Sequence, residues 1–236
     1  LQKIAEKEIT DGAKRNEIYN AKNAALVAID PKTGQILTMV GSKNYFSKPE
    51  PDGCEPGKNC QFEPNVNIVT RLRQPGSSFK PFAYATAINN GYTSDTIIWD
   101  IPTEFNPLCS WEGVAEPGIN QETCYKPKNY DGRFRGPVTL KQSLANSLNI
   151  PSVKIIYLAG IDNVINTAEN LGITTLKDRS RYGLSLVLGA AEVKLLEMVS
   201  AYGVFSQEGV KREPTGILKV EEGNGRVLEE YKVQRQ

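Results

Sequence analysis

The sequence predicts a mixed α/β (α+β) domain, and three observations predict it. Two apolar, β-favouring runs flank a Pro/Gly turn in "AALVAIDPKTGQILTMVG". Several later stretches repeat apolar residues at helical spacing between capping and stop signals. Near the C-terminus "GNG" separates two further alternating runs. At 236 residues the chain suffices for one large domain or two small ones, and 39% hydrophobic content allows it to bury a real core.

The elements follow in order. Residues 1–23 read as a helical lead-in or connector. The first hairpin comes next, with Lys32-Thr33-Gly34 on its turn. From Ser47 to Pro64 the chain is loop. In "PGSSFKPFAYATAINNG" the spacing of Phe82, Ala83, Ala87 and Ile88 predicts a buried helix ended by Gly91. Pro81 belongs to the first turn of that helix, because its ring would clash further in, so the helix should begin near Gly76 or Ser77. Residues 93–136 read as mostly irregular. Thr139 and Gln142 form a capping-box pattern that opens a helix to about Ser147. Further helices are expected at 151–158, at 162–171, and from about Val193 to Ser206, the last burying Leu195, Leu196, Val199 and Tyr202.

Composition excludes several chemistries. Net charge is +1, which gives no electrostatic reason to expect nucleic acid or an acidic membrane surface as partner. No apolar run approaches the roughly 20 residues that span a bilayer. The chain starts at Leu1 without a signal peptide, as a domain cut from something longer would. There is no histidine, so Ser-His-Asp and Cys-His catalysis and imidazole-bound zinc are excluded. A serine nucleophile here needs another base, and lysine is the leading candidate.

Four cysteines allow three pairings, and neighbour pairing, Cys54 with Cys60 and Cys109 with Cys124, is preferred because both stretches look like surface excursions. A four-thiolate zinc site is the alternative, although the usual C-x2-C knuckles are missing. Disulfides imply an oxidising, extracytoplasmic compartment. No metal or cofactor is implied.

Ser77 and Lys80 are three residues apart, so a helix puts them on one face, with Phe79 and Phe82 turned to the core. The helix N-terminus favours negative charge on Ser77 and a neutral Lys80, which could then accept the serine proton. Chance alone supplies about one S-x-x-K in a chain of this length and composition. Ser147-Leu148-Asn149 stands at a helix end; Ser147 could pass protons and Asn149 hold a substrate amide, although such residues also end helices for structural reasons. Ser42-Lys43-Asn44 has the same spelling and no such context.

S-x-x-K, S-x-N and K-T-G together mark serine enzymes that react with penicillin. "RQPGSSFKPFAYATA", "NYDGRFRGPVTLKQSLANSLNIPSVK" and "YGLSLVLGAAEVKLLEMVSAYGVFSQEGV" resemble successive landmarks of the transpeptidase domain of class A (bifunctional) penicillin-binding proteins, and "AALVAIDPKTGQILTMVGS" resembles its entry hairpin. The resemblance covers residues 24–236, in the family's order. It implies a penicillin-binding protein/β-lactamase-like fold, with Ser77 as nucleophile, Lys80 as general base, and Ser147 and Asn149 as the second motif. In that family the K-T-G follows the S-x-N and binds the carboxylate of a terminal D-alanine. Here the only K-T-G precedes Ser77, in a turn built by Pro31 and Gly34, and none follows Asn149. The fold is therefore expected to be incomplete, without the strands that carry the third motif and half of the oxyanion hole.

The resemblance implies a peptidoglycan D,D-transpeptidase that attacks D-Ala-D-Ala stem peptides, is acylated by β-lactams, and works outside the cytoplasmic membrane. A membrane anchor and a glycosyltransferase domain are expected upstream, and the rest of the transpeptidase domain downstream. Two alternatives stand beside it: a D,D-carboxypeptidase or β-lactamase that uses water as acceptor, and a catalytically silent half-domain that needs its missing C-terminal part.

Overall fold

The computed structural model describes residues 1–233; the last three residues of the expected 24–236 segment lie outside the described residues. In chain order the elements are α1 (Gln2–Arg15), β1 (Leu26–Ile29), β2 (Ile36–Val40), β3 (Leu72–Arg73), α2 (Lys80–Asn89), β4 (Ile97–Asp100), β5 (Gly136–Thr139), α3 (Leu140–Ala145), α4 (Asn149–Ala159), α5 (Ile161–Asn170), β6 (Val193–Lys194), α6 (Leu195–Ser206), β7 (Lys219–Glu221) and β8 (Val227–Glu230). All named strands among the described residues sit in two-stranded antiparallel ribbons: β1–β2, β3–β6, β4–β5 and β7–β8. No described helix is long and apolar enough to cross a membrane.

The chain forms two compact units. The first comprises 1–73, 169–176 and, of the described residues, 192–233. Its β1–β2 hairpin sets Leu26 opposite Val40. Helix α1 is tied to β2 by one side chain, since Gln2 Oε1 accepts from the Met39 N–H at 3.1 Å and from the Thr38 hydroxyl, while Gln2 Nε2 donates to Met39 O at 3.0 Å. The hairpin turn carries Lys32-Thr33-Gly34. The Asp30 carboxylate accepts from Lys32 N at 2.9 Å and Thr33 Oγ1 at 2.8 Å, and the Asp30 carbonyl accepts from Gly34 N at 2.7 Å. Gly34 has a φ of +80°, and a Cβ there would collide with the Glu213 carbonyl, so this turn needs glycine. Tyr231 OH closes it by donating to Thr33 O at 2.6 Å.

In α6 the buried residues are Met198, Ser200, Ala201 and Val204, while Tyr202 is 40% exposed and Leu195, Leu196 and Val199 are half-buried. This corrects the expected buried set. The helix is apolar around most of its circumference, so periodicity does not single out one face.

The second unit comprises 74–168 and 177–191. Helix α2 packs on α4, and both pack on the 3-10 turn Leu184–Leu188. Phe79, Phe82, Ala83, Ile150, Val153 and Ile156 are completely buried. A fully buried large apolar side chain contributes about 1.5–3 kcal/mol over an exposed one, so this interface is what fixes α2 against α4.

Three expectations are corrected here. The first turn, Gly76–Phe79, is 3-10, and the α-helix proper starts at Lys80 with Pro81 in its first turn. Ile88 is 51% exposed, beside the helix end. The stretch 93–136 begins with a strand, for β4 pairs with β5, setting Ile97 opposite Thr139 and Asp100 opposite Gly136. Its partner lies far along the chain and contains Pro137, which argues against a strand on sequence grounds. The capping box at Thr139 is fully formed: Gln142 N donates to Thr139 Oγ1 at 3.1 Å and Thr139 N to Gln142 Oε1 at 2.9 Å.

Candidate active site

Four residues predicted from the sequence fall in the second unit. Ser77 lies in the 3-10 turn and is exposed, and its hydroxyl has no hydrogen-bond partner among the described residues. In a 3-10 turn, side chains three apart eclipse, so Ser77 and Lys80 are aligned more closely than an α-helix would align them. Two constraints set this turn. Pro81 marks the start of the α-helix, and Gly76 takes a φ of +57°. Gly189, at φ +84°, abuts the Gly76 backbone so closely that any Cβ there would overlap it.

Lys80 is 1% exposed. Its ammonium donates to Ser147 O at 2.6 Å, Ser147 Oγ at 3.1 Å and Asn149 Oδ1 at 2.8 Å. Lys80 makes no ion pair among the described residues, and burial alone lowers its pKa to about 8. A buried ammonium held by three neutral acceptors can release a proton near neutrality, which a solvated lysine does inefficiently.

Ser147 lies in the turn between α3 and α4, and Asn149 is the first residue of α4. Ser147 adopts φ +52°, a conformation that costs an L-residue about 1–2 kcal/mol. That backbone lets both its carbonyl and its hydroxyl reach Lys80. Asn149 opens α4, and its Nδ2 donates to Lys128 O at 2.8 Å. Beneath the turn, the Tyr84 hydroxyl is 2.6 Å from Ser143 Oγ and 3.1 Å from Ser152 Oγ, and Ser152 donates to Leu148 O at 2.6 Å. All three side chains are buried.

Sequence reasoning missed this lower layer, and with it Asp100 and Asn129. Asn129 lies within a stretch that carried the family resemblance, but an Asn in an irregular segment gives no sign of being buried. Tyr84 and Ser152 fall on helices at positions where apolar periodicity ranks them as ordinary.

The similar-looking motifs go elsewhere. Ser42 donates to Pro64 O at 2.8 Å and Lys43 pairs with Glu50 at 3.0 Å, both in the first unit. Lys32-Thr33-Gly34 is the hairpin turn of that unit. The four cysteines form Cys54–Cys60 and Cys109–Cys124, with Cα separations of 5.1 and 5.8 Å, leaving no thiolate to bind a metal.

These features bring Ser77, Lys80, Ser147 and Asn149 together, and comparison with known proteins gives the class. Residues 24–236 match the penicillin binding protein transpeptidase domain, and the chain belongs to that family. Among its relatives, penicillin-binding protein 1A of Rickettsia bellii is 30% identical over 206 residues, covering 87% of this chain and 22% of the relative. Penicillin-binding protein 2D of Bacillus subtilis is 35% identical over 234 residues, covering 98% and 29%. The crystal structure of penicillin-binding protein 1A from Haemophilus influenzae is 32% identical and aligns with a TM-score of 0.68 over 89% of this chain and 27% of that one. The fold is also that of PonA1 from Mycobacterium tuberculosis, solved in complex with penicillin V, at 23% identity and a TM-score of 0.71 over 97% of this chain and 55% of that one. The chain thus spans 22–29% of the length of the two curated relatives.

Proposed function

We propose that this chain carries the nucleophile half of a peptidoglycan D,D-transpeptidase. The observation that carries the reading is the buried Lys80 ammonium held by Ser147 and Asn149, one 3-10 turn from the exposed Ser77. In the reaction, Ser77 Oγ attacks the carbonyl carbon of the penultimate D-alanine of a stem peptide, and its proton passes to neutral Lys80. The tetrahedral intermediate collapses, the C–N bond breaks, and the terminal D-alanine amine leaves with a proton relayed through the Ser147 hydroxyl. An acyl ester on Ser77 remains. The amine of a second stem peptide attacks it, gives up a proton along the same path, and frees Ser77. Asn149 holds the donor's amide.

No K-T-G or K-S-G follows Asn149 in this sequence. These residues therefore carry no third motif to bind the donor carboxylate or to add a second oxyanion donor. One missing oxyanion donor typically costs about 10²–10³ in rate. β-Lactams would acylate the same serine. The disulfides support an extracytoplasmic setting.

The test uses the full protein with a donor peptide ending in D-Ala-D-Ala and an amine acceptor. Cross-linked peptide that disappears in Ser77→Ala supports the reading. Release of D-alanine with water as sole acceptor makes the protein a carboxypeptidase instead, and no Ser77-dependent turnover overturns both.

A further inference from the structure

We propose that Asp100 and Asn129 are positioning residues for the Ser77–Lys80 chemistry: a buried carboxylate fixes the Asn129 amide, which fixes the Asn149 end of the S-x-N turn. This rests on the acyltransferase reading above and names residues that act through its second motif. Asp100 is wholly buried and Asn129 is 5% exposed. Asn129 Nδ2 donates to both Asp100 carboxylate oxygens, at 2.8 and 3.0 Å, and to Arg133 O at 2.8 Å. Asn129 Oδ1 accepts from Asn149 N at 2.8 Å and from Ile150 N at 3.4 Å.

Donor and acceptor types leave one orientation for each amide. Backbone N–H groups only donate, so the Asn129 oxygen must face those of α4, and its NH2 faces Asp100. Those N–H groups are the unpaired donors of a helix start, and Leu148, in the capping position, has no side-chain oxygen to take them. Asn129 therefore caps α4 from a distant segment. Asn149 is sorted the same way, for its Nδ2 faces the Lys128 carbonyl, which leaves Oδ1 for the Lys80 ammonium. Asp100 is held in turn by Arg135 N at 3.0 Å and, more loosely, by the Arg135 guanidinium at 3.9 Å. A line of fixed polarity thus runs from Asp100 through Asn129 and Asn149 to Lys80. Buried polar groups carry a desolvation cost that apolar packing would avoid, so a wholly satisfied chain ending at the proton acceptor points to a role in placing it.

A mere helix cap and a positioning chain differ in a double-mutant cycle. In the full protein, the rate constant for penicillin acylation of Ser77 at saturating antibiotic is measured for wild type, Asp100→Asn, Asn149→Ala and the double variant. Asp100→Asn keeps the shape but turns an amide donor toward groups that are themselves donors. It should slow acylation by about 10²-fold, the cost of a displacement of about 1 Å. In the Asn149→Ala background the same change should cost less than about 3-fold, since the path to Lys80 is already cut. Equal factors in both backgrounds, or a wild-type rate in Asp100→Asn, overturn the proposal. Should Asp100→Asn fail to fold, Asn129→Ser takes its place in the cycle with the same expectation. A wild-type protein that is never acylated at Ser77 instead overturns the acyltransferase reading and the proposal with it.

Discussion

Lys80 Nζ lies 2.8 Å from Asn149 Oδ1, joining the first residue of α2 to the first residue of α4. Two helix starts thus meet at one nitrogen, and the buried apolar interface between the helices holds them there. The pKa of that nitrogen is lowered by burial from 10.5 to about 8. In the proposed reaction the neutral amine accepts the Ser77 proton, so the acylation rate should climb as pH rises toward about 8 and level off above it. Lys80→Met should abolish this limb along with most of the activity. Stop-flow acylation across pH 6–10 checks it.

The same shift makes a stability prediction of definite sign. Between about 8 and 10.5 the unfolded chain holds a proton on Lys80 that the folded chain has lost. This lysine's contribution to stability therefore rises with pH through that window and is least favourable below it. From pH 8 to 10.5 the unfolding free energy of wild type should rise relative to that of Lys80→Met, as read by denaturant titration.

Ser147→Gly separates strain from function. Glycine accepts φ +52° without a Cβ penalty, but it loses more entropy on folding and removes one hydrogen bond to the buried Lys80 ammonium, so these terms offset and stability should change by less than about 1 kcal/mol. Acylation should fall at the same time, because the hydroxyl that bonds Lys80 is gone.

How much of this was legible in the sequence depends on the range of each interaction. The β1–β2 hairpin and the Thr139–Gln142 capping box rest on residues a few positions apart, and each formed as local chemistry dictates. Ser77, Lys80, Ser147 and Asn149 were legible as spelling, and the landmarks around them separated Ser147-Leu148-Asn149 from Ser42-Lys43-Asn44. Pairings across tens of residues left no local mark: β4 with β5, Asp100 with Asn129, Tyr84 with Ser143 and Ser152. Their polarity makes sense only once the chain has brought them together. The 3-10 character of Gly76–Phe79 was missed because Pro81 restricts where the α-helix can begin without specifying the turn before it.

Gly189→Ala should disturb the nucleophile without touching it. The added Cβ would press into the backbone of Gly76 and force the φ +84° position into strain. Lower thermal stability together with slower Ser77 acylation is expected; Gly91→Ala, where a Cβ meets nothing, should leave acylation unchanged.

The disulfides should differ in worth. Cys109–Cys124 closes a separation of 15 residues and Cys54–Cys60 one of 6. Chain-entropy arguments give about 3 kcal/mol for the longer loop and about 2 kcal/mol for the shorter. Replacing Cys109 and Cys124 with alanine should lower the denaturant midpoint more than replacing Cys54 and Cys60.

The most direct measurement is intact-mass spectrometry with peptide mapping after the full protein meets a penicillin, run on wild type, Ser77→Ala and Lys32→Ala. The account predicts a stable adduct of one penicillin on the Ser77 peptide, absent in Ser77→Ala and unchanged in Lys32→Ala, since Lys32 belongs to a hairpin turn. An adduct on any other serine, or its loss in Lys32→Ala, would contradict it.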